Sequence, residues 1–167
     1  MRRRVTIVAL AAVVLAGCAT DGGTQTAPPR TQVELRHFQT RSFEVEQGKV
    51  VLKAMVNVLQ DLGYIIKNAD ADLGIVTAEK WANVAHTKKE IKRARNKDLS
   101  LAQTVVTECT ANVTEYGKDC RVRLTFQRRV LGPAGALMGV HVIDDAAFYQ
   151  AFFSKVDKGV FLQKEGI

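Results

Sequence analysis

The side chains in this 167-residue sequence that could do chemistry are its histidines, serines, carboxylates and cysteines, and their spacing offers little. His37, His86 and His141 lie far apart, and none has a partner at metal-ligand spacing such as i, i+4. Each reads as a surface residue. Ser42, Ser100 and Ser154 lack the flanking glycines of a nucleophile elbow. The stretch Gly132-Pro-Ala-Gly-Ala-Leu-Met-Gly139 has glycines but no Lys-Ser/Thr ending, so it is not a phosphate loop. Asp70/Asp72 and Asp144/Asp145 fit a turn and a helix start, because a calcium loop needs further oxygen ligands at set spacing. The residues therefore point to no enzyme, no metal and no cofactor.

The elements that position these groups are easier to read. Gln39 to Val45 has the pattern of a short strand. Val50, Val51, Ala54, Met55, Val58, Leu59 and Leu62 then recur at helical spacing, and Gly63 stands where a left-handed C-cap residue belongs. Tyr64 to Lys67 and Gly74 to Lys80 read as two strands joined by the turn-forming Asn68 to Asp72. Trp81 to Ser100 reads as an exposed excursion, with six Lys or Arg against one Glu between Lys88 and Lys97 and at most a loose helical turn. Two alternating strands follow around Tyr116-Gly117-Lys118. The first turns Val105, Thr107, Cys109, Ala111 and Val113 inward, and the second Cys120, Val122, Leu124 and Phe126. Val140 to Ile143 adds a last short strand. Asp144-Asp145 caps a final helix with the stripe Phe148, Tyr149, Phe152, Phe153, Val156 and Val160. The order strand, helix, strand, strand, excursion, strand, strand, helix implies a two-layer α+β domain, an antiparallel sheet packed on two amphipathic helices.

Composition agrees with one globular domain: 47% hydrophobic, 25% charged and 7% aromatic residues. Met1 to Arg4 is basic, and Val5 to Ala16 is an uncharged run of 12 residues. That is short of the ~20 needed to span a bilayer, and it fits the apolar region of a secretion signal. It ends in Leu15-Ala16-Gly17-Cys18, which resembles the lipobox of bacterial lipoproteins. The resemblance implies cleavage before Cys18, acylation of its thiol and new amine, and a covalent lipid anchor in the membrane. Ala19, in place of Asp, implies by likeness to enterobacterial lipoproteins the outer membrane, periplasmic face, over the inner one. Residues 18–34 then form a flexible tether, and residues 35–167 the domain. Discarding residues 1–17 removes three arginines, leaving 21 Lys and Arg against 17 acidic residues, a net charge of +4. Nucleic acid is not an expected partner.

An oxidising compartment makes Cys109 and Cys120 worth placing. A two-residue turn at Gly117-Lys118 sets Cys109 opposite Phe126 and Cys120 opposite Glu115, roughly 20 Å apart along the sheet. A Cys109–Cys120 disulfide requires another register, with residues 110–119 as one long loop, so two buried free thiols are the favoured reading. Two features offer binding. Lys88, Lys89, Lys92, Arg93, Arg95 and Lys97 read first as a solvated loop, since surface charge runs are common, and next as a contact for anionic lipid headgroups, lipopolysaccharide phosphate or an acidic protein face. The apolar loop Leu131 to Val140 either folds back over the sheet edge or presents Leu137 and Met138 to a partner.

Val58-Leu59-Gln60-Asp61-Leu62-Gly63-Tyr64, the later Gly74-Ile-Val-Thr-Ala-Glu-Lys80, Phe148-Tyr149-Gln150 and Phe161-Leu162-Gln163 together resemble a group of small proteobacterial lipoproteins of unassigned function. The element order is also similar to the helix-grip domains of BamC, a lipoprotein of the outer-membrane barrel-assembly machinery. With no catalytic constellation in the sequence, the expected role is a non-enzymatic interaction or accessory module of envelope assembly or maintenance. The alternative is a carrier or sensor of an apolar or lipid ligand held between sheet and final helix, with Phe148, Tyr149, Phe152 and Phe153 as the wall.

Overall fold

Two strands of 13 residues dominate the architecture: β4, Thr104–Tyr116, and β5, Asp119–Leu131. They are joined at Gly117-Lys118, where Gly117 has φ +61. The computed structural model describes residues 30–166, so Leu15, Ala16, Gly17, Cys18 and most of the expected tether lie outside it. The register follows from the two-residue turn: Cys109 pairs with Phe126 and Cys120 with Glu115. Both cysteines are buried free thiols.

Around this hairpin the sheet adds β1, Thr40–Phe43, β2, Ile65–Asp70, β3, Ile75–Asn83, and β6, Leu137–Val142. The order is β1-β5-β4-β3-β2, all antiparallel, with β6 also on β5. β4 occupies one side of β5, so β1 and β6 share the other, β1 on residues 120–123 and β6 on 127–131.

Helix α2, Gly48–Asp61, and helix α4, Ala146–Glu165, roof one face of the sheet. Their seam is close: a Cβ at Gly159 would lie 3.3 Å from that of Ala54. Asp145 caps α4 through the Ala147 N–H, and Glu115 at the end of β4 accepts the Gly48 N–H at 2.7 Å. That carboxylate sits where the helix dipole favours negative charge. The core gathers Val51, Met55 and Leu59 of α2, Val76 and Ala78 of β3, Cys109 and Ala111 of β4, Val122, Leu124 and Phe126 of β5, and Tyr149, Phe152 and Val156 of α4.

Several expectations need correction. Gln32–Gln39 is a helix, α1, not tether followed by strand; Thr31 and Glu34 form a reciprocal capping box that starts it, and Gln39 is buried. β2 runs through Asn68 to Asp70, with a register shift between Ile66 and Asn68, so the turn falls at Ala71–Gly74. Gly74 is needed there, since it has φ +67 and a Cβ would come within 2.2 Å of the Val113 carbonyl oxygen. The excursion begins only after β3 has extended to Asn83, and it holds a regular helix, α3, Lys88–Asn96. The last strand starts at Leu137, after a 3-10 turn at Pro133–Gly135, so the apolar loop does return to the sheet edge. Four α-helices, not two, stand among the described residues. The class is unchanged: two-layer α+β, with an antiparallel sheet.

Candidate interaction surfaces

The excursion folds because Thr87 and Glu90 form a second capping box, the Glu90 carboxylate accepting both the Thr87 backbone N–H and its hydroxyl. Those bonds, the backbone one first, hold the Glu90 carboxyl below its usual range. Ala94 is the buried residue of α3, while Lys88, Lys89, Lys92, Arg93, Arg95 and Lys97 are all exposed. None of the six makes an ion pair among the described residues. Lys88, Lys92 and Arg95 share one face by their spacing, with Ile91 beside them and 51% exposed. The helix closes on Asp98 at φ 51, and the Leu99 N–H returns to the Ala94 carbonyl.

The sheet face away from the helices is less uniformly polar than its alternation suggests. Thr77, Thr110 and Thr125 stand in one cross-strand row. In the next, Glu108 accepts the Gln127 amide and pairs with Arg129 at 2.6 Å, while Lys67 pairs with Glu79. The Glu79 carboxyl is held low by hydrogen bonds from Trp81 and Lys67. Beyond these, Trp81, Val106, Arg129 and Val140 are directly opposite one another. Val106 is fully buried although its parity places it on this face; with Ala94 it is one of two buried apolar residues outside the main core among the described residues. Trp81 is 54% exposed and Leu137 61%, and Met138 is also exposed.

The aromatic stripe of α4 is core for the most part. Phe126 lies edge-on to Phe148, Tyr149 and Phe152 at centroid distances of 4.9, 5.8 and 5.2 Å. Phe153 packs on Phe43 and Phe152. Tyr149 is fully buried, and its hydroxyl accepts the Phe126 N–H at 3.1 Å and the Gln39 side-chain amide at 3.3 Å. That hydroxyl takes the place of a strand in the stretch of β5 between β1 and β6. Burial raises its pKa, with the Phe126 N–H acting the other way.

Of the four rings expected to wall a cavity, Phe148 and Phe152 do line one; Tyr149 and Phe153 do not. It is a cleft of about 200 Å³, shared with Leu62, Tyr64 and Phe126. Burial pushes the Tyr64 hydroxyl up to about 12, with Arg128 pulling it down. Ala151, Lys80 and Lys155 complete the lining, which contains no carboxylate.

Beside this cleft the register assembles a group that a linear reading misses. Lys80, Thr107, Arg128 and His141 are successive cross-strand partners on β3, β4, β5 and β6. They share the face of Ala78, Cys109 and Phe126, so they point toward the helix side, beyond where the helices reach. Lys80, Arg128 and His141 are exposed. The signal was present: the two-residue turn that sets Cys109 against Phe126 sets Thr107 against Arg128, one inward position further along.

The other histidines remain apart, His37 exposed on α1 and His86 against the Ala102 carbonyl. Among the described residues no three His, Cys, Asp or Glu side chains gather to hold a metal, and no helix is long and apolar enough to cross a membrane.

No protein-family model matches the chain, and no curated protein matches it. Among solved structures, a DUF4468 family protein from Bacteroides ovatus is similar over 72% of this chain and 84% of its own, at 13% identity and TM-score 0.38. A TBP-like protein from Parabacteroides distasonis is similar over 72% and 90%, at 8% identity and TM-score 0.37. Neither likeness assigns a site or a role.

Proposed function

We propose that this chain is an outer-membrane lipoprotein, anchored through Cys18 and facing the periplasm, that serves without catalysis as an interaction module in envelope assembly or maintenance. The observation that carries the contact is α3, a capped helix whose cations are exposed and free of ion pairs among the described residues. A cation with no partner of its own keeps its field for another surface. The lipobox supports the anchor and address. Replacing Cys18 with Ala is expected to move the protein from the membrane to the soluble fraction; persistence in the membrane overturns the anchor. A photo-crosslinker at Ile91 in intact cells is expected to give adducts that vanish when Lys88, Lys92 and Arg95 become Gln. Undiminished adducts would remove α3 from the role. The cleft beside Phe148 favours a second reading, a carrier or sensor of an apolar ligand.

A further inference from the structure

The cleft and the cross-strand row beside it have complementary chemistry. One has walls of Leu62, Tyr64, Phe126, Phe148 and Phe152 and no acid in its lining. The other holds Lys80 and Arg128 on either side of the half-buried Thr107, with His141 next in line. Lys80 belongs to both. Its ammonium donates to the Leu62 carbonyl at 2.7 Å and stands 5.9 Å from the Tyr64 ring centre, at the mouth of the cleft. Lys155 of α4 supplies a further cation at the same rim. The nearest acids along these strands, Glu79 and Glu108, face the opposite side and are engaged by Lys67 and Arg129, and Glu115 lies at the far end of β4 on the Gly48 N–H. Neither Lys80, Arg128, Lys155 nor His141 has an ion-pair partner among the described residues.

We propose that this is a binding site for a single-chain anionic amphiphile, its apolar end in the cleft under Phe148 and Phe152 and its headgroup against Lys80, Thr107 and Arg128. This rests on the carrier reading and extends it by naming the ligand class. The size fits a chain end. At about 200 Å³ the cleft is smaller than the ~300–1,000 Å³ of a typical small-molecule pocket. The register fits the head, because Lys80 and Arg128 arise two strand spacings apart, roughly 10 Å, within which two long cationic side chains converge. Thr107 between them offers a hydroxyl donor. His141 stands at the outer end of the row, its ring turned over Gly139, where a Cβ would meet Nε2 at 3.1 Å.

The test is equilibrium dialysis of the full-length chain carrying Cys18→Ala, so that no acyl chain of its own competes. The probes are dodecanoate, dodecyl maltoside as an uncharged amphiphile with the same chain, and inorganic phosphate as an anion without a chain. Dodecanoate is expected to bind about tenfold more tightly than the maltoside, the advantage of a charge-assisted contact. Lys80→Gln with Arg128→Gln is expected to erase that advantage, and Ala151→Trp, which fills the cleft, to abolish binding of both amphiphiles. An unchanged melting temperature in the Lys80/Arg128 variant verifies the fold, since both side chains are exposed. Equal binding of dodecanoate and maltoside, unaffected by the double variant, overturns the headgroup assignment and leaves the carrier reading standing. Binding of no amphiphile overturns both. Phosphate bound as tightly as dodecanoate, and indifferent to Ala151→Trp, reduces the site to a surface anion contact and overturns the proposal.

Discussion

Along the inner face of the β4–β5 hairpin, Cys109, Ala111 and Val113 on one strand and Cys120, Val122, Leu124 and Phe126 on the other are all buried. Further along the same strands, Val105, Thr107, Arg128 and Val130 keep that parity yet none is fully covered. The backbone does not change between the two regions; the roof does. A 13-residue strand is roughly 43 Å long, and α2 with its 14 residues roughly 21 Å. The 20 residues of α4 span roughly 30 Å, so neither helix is as long as the strand. Alternation therefore reports which way a side chain points, and helix length decides whether that direction is core or open surface.

Substitutions on either side of the roof's edge test this division. Phe126→Ala removes the ring that three α4 aromatics contact and is expected to cost ~3–5 kcal/mol in urea unfolding, whereas Val130→Ala, two inward positions away, costs under ~1 kcal/mol. Similar losses at both positions would mean that the outer half is also core. Next in size is Tyr149→Phe. It leaves the Phe126 N–H without its acceptor in a dry place, for ~1–3 kcal/mol, and hydrogen exchange at that amide should rise by more than the global loss explains. Smallest at any single step is a pH dependence, which accumulates only at alkaline pH. Burial pushes the Cys109 thiol from 9.0 up to about 12. The unfolded chain gives up this proton first, so the contribution is complete below about pH 9 and declines by roughly 1 kcal/mol per pH unit on the way to 12. Cys109→Ala should remove that part of the slope, and a slope unchanged by it would mean that the thiol is hydrated.

The parts of this molecule legible in its sequence are those fixed by short-range patterning. The apolar stripe of α2, the Asp145 cap and stripe of α4, and the β4–β5 register each follow from a period or a turn. α1 is not legible from patterning although Thr31 and Glu34 form its capping box, because the polar residues before it read as tether. α3 reads as an exposed excursion with a loose helical turn for a similar reason: its single buried residue, Ala94, gives almost no stripe, so only the Thr87/Glu90 box marks it. The row Lys80, Thr107, Arg128 and His141 spans three strand pairings, one of them with a strand whose start was misplaced by three residues. The place where β1 gives way to β6 depends on Tyr149, which no local signal pairs with Phe126.

That substitution of a phenol for a strand also bears on when the fold can close. The open Phe126 N–H on β5 is capped by Tyr149, 23 residues further on, and Gln39, 110 residues before Tyr149, donates to the same hydroxyl. Until α4 docks, the nascent hairpin carries an open amide flanked by apolar side chains, a template for pairing with another chain. A variant in which α4 cannot dock therefore leaves that stretch of β5 open, and self-association is its expected failure.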